Sequence, residues 1–205
     1  MLYEYLQERY EPGEPIFSID IFGDSQENLR YHLKKLTDDG VICRFEAGIY
    51  FLPKENIFGK RIALSADTVI YHKYIMRKNK RIGYYSGYTL ANCMGLSTQV
   101  PFKEEITSNM ALASIRELKI KDRKYIIRRS LVEVTEENAA VLKFLDCLKN
   151  FEKCAEETPE VCGWILNDYA RKYSITKEMI DRVIGNYPMK VYKAIYETGV
   201  KYVSA

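Results

Sequence analysis

Long apolar runs are missing from this sequence. None approaches the roughly 20 residues that a membrane-spanning helix needs, and the opening Met1-Leu2-Tyr3-Glu4-Tyr5 lacks the basic and apolar stretches of a secretory leader. A cytoplasmic location without membrane contact is expected. Histidine is scarce, with only His32 and His72, and the cysteines at 43, 93, 147, 154 and 162 include no C-x-x-C pair. These shortages argue against a zinc site and a disulfide framework, and for buried thiols and packed or surface histidines. No cofactor or metal is expected. Missing too are the P-loop, G-x-G-x-x-G, H-E-x-x-H and G-x-S-x-G patterns. There is no Asp-x-Asp pair to hold two metals, and the side chains of adjacent Asp38 and Asp39 diverge. The paired glutamates at 104–105, 136–137 and 156–157 read as strand, cap and loop charges. The chain is therefore expected not to be an enzyme, although an active site assembled from distant residues leaves no local trace.

What is present is an ordinary globular balance, 47% hydrophobic and 29% charged over 205 residues, enough for one large domain or two smaller ones. The net charge of +3 is unevenly spread. Residues 1–60 hold 7 Lys/Arg against 11 Asp/Glu, residues 61–129 hold 14 against 5, and residues 130–205 hold 10 against 12. A basic middle of net +9 between acidic flanks suits a polyanionic partner.

Apolar spacing predicts a helix over 1–11, broken by Pro12-Gly13-Glu14-Pro15. An extended piece over 16–19 leads to Asp20, a cap for one helical turn ending near Gly23. The clearest helix spans 25–39, capped by Asp24 or Ser25, with Leu29, Leu33 and Leu36 on one stripe and Gly40 as its left-handed terminator. Val41–Phe45 and Ile49–Leu52, joined through Gly48, read as a hairpin. This order is that of a winged helix-turn-helix, with a boundary near residue 56.

Residues 54–64 read as a linker. A helix from Ser65 to Met76 is ended by the basic run 77–81, and Ser86 caps a short helix stopping at Gly95. Strands are expected over 105–109, 115–120 and 125–129. Thr135 opens a helix carrying Leu142, Leu145, Leu148 and Phe151, and further helices start at Thr158-Pro159, Thr176 and Pro188. The expected fold is α+β: a winged helix over 1–56, then an α+β domain with a helical tail over 57–205.

Two stretches together resemble the AbiEi family of antitoxins from abortive-infection, type IV toxin–antitoxin systems. The first is Leu29-Arg30-Tyr31-His32-Leu33-Lys34-Lys35-Leu36, followed by Gly40-Val41-Ile42-Cys43-Arg44 and Gly48-Ile49-Tyr50-Phe51-Leu52-Pro53. The second is Tyr85-Ser86-Gly87-Tyr88-Thr89-Leu90-Ala91, followed by Gly95-Leu96-Ser97-Thr98-Gln99-Val100-Pro101 and Ile106-Thr107-Ser108-Asn109. The resemblance covers about 15–130 and implies a winged helix that binds inverted repeats in double-stranded DNA at its own promoter and represses it. It also implies a second domain that counteracts a partner toxin of nucleotidyltransferase type. One departure is the acidic N-terminal segment, with Glu46 at the wing tip.

Candidate DNA-reading residues lie off the leucine stripe: Gln26 and Asn28 for adenine edges, Arg30 for guanine, Lys34 and Lys35 for phosphates, with Tyr31 and Arg44 beside them. An ordinary solvated helix face is the alternative, and Tyr31 could equally pack on the hairpin. Candidate backbone contacts in the basic middle are Lys78, Lys80, Arg81, Lys119, Lys121, Arg123, Lys124, Arg128 and Arg129. They could equally meet an acidic protein or be solvated turns. Gln99 and Asn109 lack an evident structural reason and are candidates for a polar partner surface. The competing functional reading is a protein-interaction module that uses the winged helix as a docking platform. A degenerate nucleic-acid enzyme comes third.

Overall fold

A computed structural model describes residues 2–21 and 25–200. The architecture is α+β, as expected. The chain divides into two compact units, Met1–His72 and Lys73–Ala205, so the division falls within a helix, later than the expected boundary at 56.

The first unit opens with α1 (Leu2–Arg9), β1 (Pro15–Phe17) and one 3₁₀ turn at Ser18–Asp20. The turn thus lies earlier than the expected one after Asp20; the remainder of that expectation, at Phe22–Asp24, is outside the described residues. Helix α2 (Gln26–Asp38) begins at Ser25, whose hydroxyl accepts from the Asn28 amide at 3.3 Å, and it gives way to Gly40 at φ +73°. Leu29 and Leu33 are buried on its inner stripe, packed with Leu6, Ile16, Ile42 and Tyr50. Strands β2 (Cys43–Glu46) and β3 (Ile49–Phe51) form the hairpin, turning through Gly48 at φ +76°. β1 pairs antiparallel with the other side of β3, giving the order β1-β3-β2.

The expected linker is instead a short antiparallel ribbon, β4 (Lys54–Glu55) with β5 (Arg61–Ile62). Asn56 builds its turn: the side-chain carbonyl accepts from the amides of Phe58 at 2.9 Å and Lys60 at 3.0 Å. Helix α3 (Ala66–Tyr74) follows, with the Ser65 hydroxyl accepting from the Thr68 amide at 3.0 Å.

In the second unit the basic run does not terminate a helix. It forms a tight hairpin, β6 (Met76–Arg77) with β7 (Lys80–Arg81), turning on left-handed Lys78 and Asn79. Then come β8 (Gly83–Tyr85), α4 (Gly87–Met94), β9 (Glu104–Ser108), β10 (Ile115–Ile120) and β11 (Arg123–Arg129). The sheet order is β10-β11-β9-β8, with β11 parallel to β9 and the other pairs antiparallel. Neither β8 nor the parallel pairing was expected, because each rests on contacts between distant segments.

Helix α5 (Ala139–Lys149) starts later than Thr135, since Asn138 and Thr135 close a turn: the Asn138 side-chain carbonyl accepts from the Thr135 amide at 2.8 Å. Val141, Leu142, Phe144, Leu145 and Leu148 bury nearly its whole circumference, as a central core helix requires. Phe151 falls in the short α6 (Phe151–Cys154). α7 (Pro159–Lys172), α8 (Lys177–Asp181) and α9 (Lys190–Thr198) complete the core with Cys162, Leu166, Ile180, Val191 and Ala194. Gly163 is where α7 meets the end of α9: a Cβ there would lie 2.0 Å from the Thr198 carbonyl oxygen.

Candidate functional site

The buried stripe of α2 fixes which residues it turns outward. Gln26, Asn28, Arg30, Tyr31, Lys34 and Lys35 are all exposed. Arg30, Lys34 and Lys35 form no ion pair among the described residues. The Tyr31 ring is 66% exposed and leans on His32, with centroids 5.6 Å apart, so it is not packed on the hairpin. A groove of about 720 Å³ runs beside α2, between it, the 3₁₀ turn and the β2–β3 hairpin. It brings together Gln26, Arg30, Lys34 and Arg44, with Ile19 and Asp38 at its walls; Asn28, Tyr31 and Lys35 lie outside it. Arg44 is exposed on the edge strand β2, its guanidinium Nε donating to the Glu46 carbonyl at 3.4 Å. The combination of planar amides, a guanidinium with no ion pair among the described residues and flexible ammonium groups can donate to and accept from polar edges and neutralise phosphates.

Among the candidate backbone-contacting residues of the second unit, four guanidiniums have internal partners. Arg81 pairs with Glu136 at 2.9 Å, Arg123 with Glu104 at 2.7 Å, and Arg128 with the buried Glu105 at 2.8 Å. Arg129 donates to the carbonyls of Ala111, at 3.3 Å, and Leu112. Lys78, Lys80, Lys119, Lys121 and Lys124 are exposed, and strand pairing sets Lys119 directly opposite Lys124. The sequence therefore overstates the free positive charge, because a guanidinium holding a strand or loop looks the same in one dimension as one facing solvent.

Asn109 also has a structural role. Its amide clamps residue 134, accepting from the Val134 N–H at 2.8 Å and donating to the Val134 carbonyl at 2.9 Å. Gln99 is exposed on a segment held by Glu156, which accepts from the Thr98 amide and hydroxyl at 2.8 Å and the Ser97 hydroxyl at 2.9 Å. Those donors, the Thr98 amide foremost, hold the Glu156 carboxyl below the usual value.

A buried polar cluster escapes the sequence reading. Ser86 precedes α4, but its hydroxyl does not cap the helix and, fully buried, has no hydrogen-bond partner among the described residues. The cap comes from across the core: Asp146 on α5, 1% exposed, accepts from the Gly87 N–H at 3.2 Å and pairs with Lys149 at 2.6 Å. Gly87 has φ +54°, and a Cβ there would lie 2.5 Å from the Glu105 carboxyl carbon. Burial, and then the Asp146 charge, push the hydroxyls of Tyr84 and Tyr187 above their ordinary range. The one available signal is a lone carboxylate, Asp146, inside the mostly apolar stretch Val141–Leu148.

The five cysteines are free thiols, three of them buried. No group of three or more His, Cys, Asp or Glu is placed to hold a metal ion among the described residues. Among those residues no helix is long and apolar enough to cross a membrane.

The chain is thus a two-unit α+β protein whose first unit presents a polar helix face beside a groove. It belongs to a family of unknown function, DUF6088, whose model matches residues 12–152. No curated protein matches it.

Proposed function

We propose that the first unit is a winged helix-turn-helix and that the chain is a non-catalytic, sequence-specific DNA-binding repressor of its own promoter, acting as the antitoxin of a toxin–antitoxin pair in the cytoplasm. The observation that carries the DNA reading is the placement of α2. The helix is anchored by Leu29 and Leu33 and turns Gln26, Asn28, Arg30, Lys34 and Lys35 outward, beside a sheet of order β1-β3-β2. A helix of this kind fits the major groove, with Arg30 aimed at guanine, Gln26 and Asn28 at adenine, and the lysines at phosphates. The toxin half of the reading rests on the resemblance of the two sequence stretches to AbiEi antitoxins.

A second reading is supported by the apolar content of the same face. Ile19 is 79% and Tyr31 66% exposed in an acidic unit, which suits docking of a protein instead. Fluorescence anisotropy with the duplex upstream of the chain's own start codon, against a scrambled duplex at two salt concentrations, separates the two. The DNA reading expects a preference of about 10³ or more with a steep salt slope. Equal, weak binding to both duplexes would remove it in favour of docking.

A further inference from the structure

The β4–β5 ribbon places two large apolar side chains in solvent: at its tip Ile57 is 93% and Phe58 79% exposed. Turn tips ordinarily carry polar residues or glycine, and this tip is not a loose loop. The Asn56 side chain accepts two backbone amides, the Asn56 amide donates to the Lys60 carbonyl at 2.9 Å, and Gly59 takes the left-handed position at φ +71°. Local hydrogen bonds thus hold the apolar pair in place.

Charge identifies what such a tip meets. Residues 1–53 carry 5 Lys/Arg against 10 Asp/Glu, whereas 54–62 carry Lys54, Lys60 and Arg61 against Glu55 alone. All three cations are exposed. The acidic first unit therefore concentrates positive charge on the short ribbon that bears the most exposed apolar residue among those described in it. An apolar point between cations fits a duplex: apolar wedges enter between base steps from the minor groove while flanking cations neutralise the phosphates on either side.

We infer that the ribbon is a second DNA-contacting element. Ile57 and Phe58 form a wedge inserted at a base step, and Lys54, Lys60 and Arg61 grip the adjoining phosphates. The inference rests on the DNA-binding reading and assigns it a mode of regulation, since a wedge kinks the promoter it occupies.

The test uses the full chain and the duplex upstream of its start codon, end-labelled with a donor and acceptor dye. Wild-type protein is expected to raise energy transfer through a kink of about 20–90°. The double variant I57S/F58S alters only solvent-exposed side chains, and circular dichroism checks that its fold is retained. It is expected to leave the duplex straight and to bind about tenfold more weakly, with its preference for the native over the scrambled duplex intact. Unchanged energy transfer and affinity in the double variant overturn the wedge and leave the tip to a protein partner. A wild-type chain that prefers the native duplex but does not bend it overturns the wedge alone, whereas a wild-type chain with no preference overturns the DNA reading beneath it.

Discussion

Arg30, Lys34 and Lys35 project from α2 with no ion pair among the described residues, whereas Arg81, Arg123 and Arg128 in the second unit each close an ion pair with a glutamate. The acidic segment thus keeps unpaired cations on one helix face, whereas internal pairs take up part of the positive charge of the second unit. Net charge over a stretch of sequence is a poor guide to which cations the fold leaves unpaired. What decides availability is whether the fold brings a carboxylate within about 4 Å, and the paired strands β9 and β11 do so where α2 does not.

Breaking the buried cluster should have the largest effect. Asp146→Ala removes the acceptor for the Gly87 N–H and the partner of Lys149. It is expected to destabilise the second unit by about 3–5 kcal/mol, read as a lower urea midpoint. A midpoint within error of wild type would show that the cluster is not a structural keystone.

The contrast itself is sharpened by paired substitutions. Arg128→Ala leaves Glu105 buried without its guanidinium and should cost about 1–3 kcal/mol of stability, with the preference between native and scrambled duplexes unaltered. Arg30→Ala should do the reverse, losing about 1–3 kcal/mol of binding and relaxing base preference with an unchanged thermal midpoint. If both variants lost stability and neither lost DNA preference, the distinction between the two sets of cations would collapse.

A smaller effect is expected at Lys35, where Lys35→Ala should lower the salt slope of binding by about 1 and leave sequence preference alone. The smallest concerns His72. Burial lowers its pKa below the usual histidine value despite Glu14 at 3.7 Å. The unfolded chain therefore takes up the proton first as pH falls through the usual histidine range. Stability of the first unit should decline there and level off below the folded-state value. A His72→Gln variant should flatten that decline in chemical denaturation at stepped pH.

The parts of this molecule legible in sequence are those set by neighbours in the chain. Ser25, the leucine stripe and Gly40 are all local signals, and they define α2 and hence its outward face. The Asn56 turn is equally local, with Asn at its first and Gly at its fourth position, but the two-residue strands it joins carry no periodicity that sets them apart from a linker. The parallel β9–β11 pairing, the Asp146 cap on α4 and the carboxylates opposite Arg123 and Arg128 depend on segments that meet only in the folded chain. No periodicity or spacing encodes those meetings. Asn109 makes the same point for the site: a polar residue with no evident reason to be there turns out to bridge to Val134.

The packing of α5 bears on where this fold can be cut. The family model stops at residue 152, just past α5, yet α5 is buried with Cys162 and Leu166 from α7 and Val191 and Ala194 from α9. The Gly163–Thr198 approach locks those two later helices together. A fragment ending at the family boundary would leave the part of α5 that packs on α7 and α9 open to water as an adhesive face. The helices outside the shared pattern therefore complete the core of the part inside it.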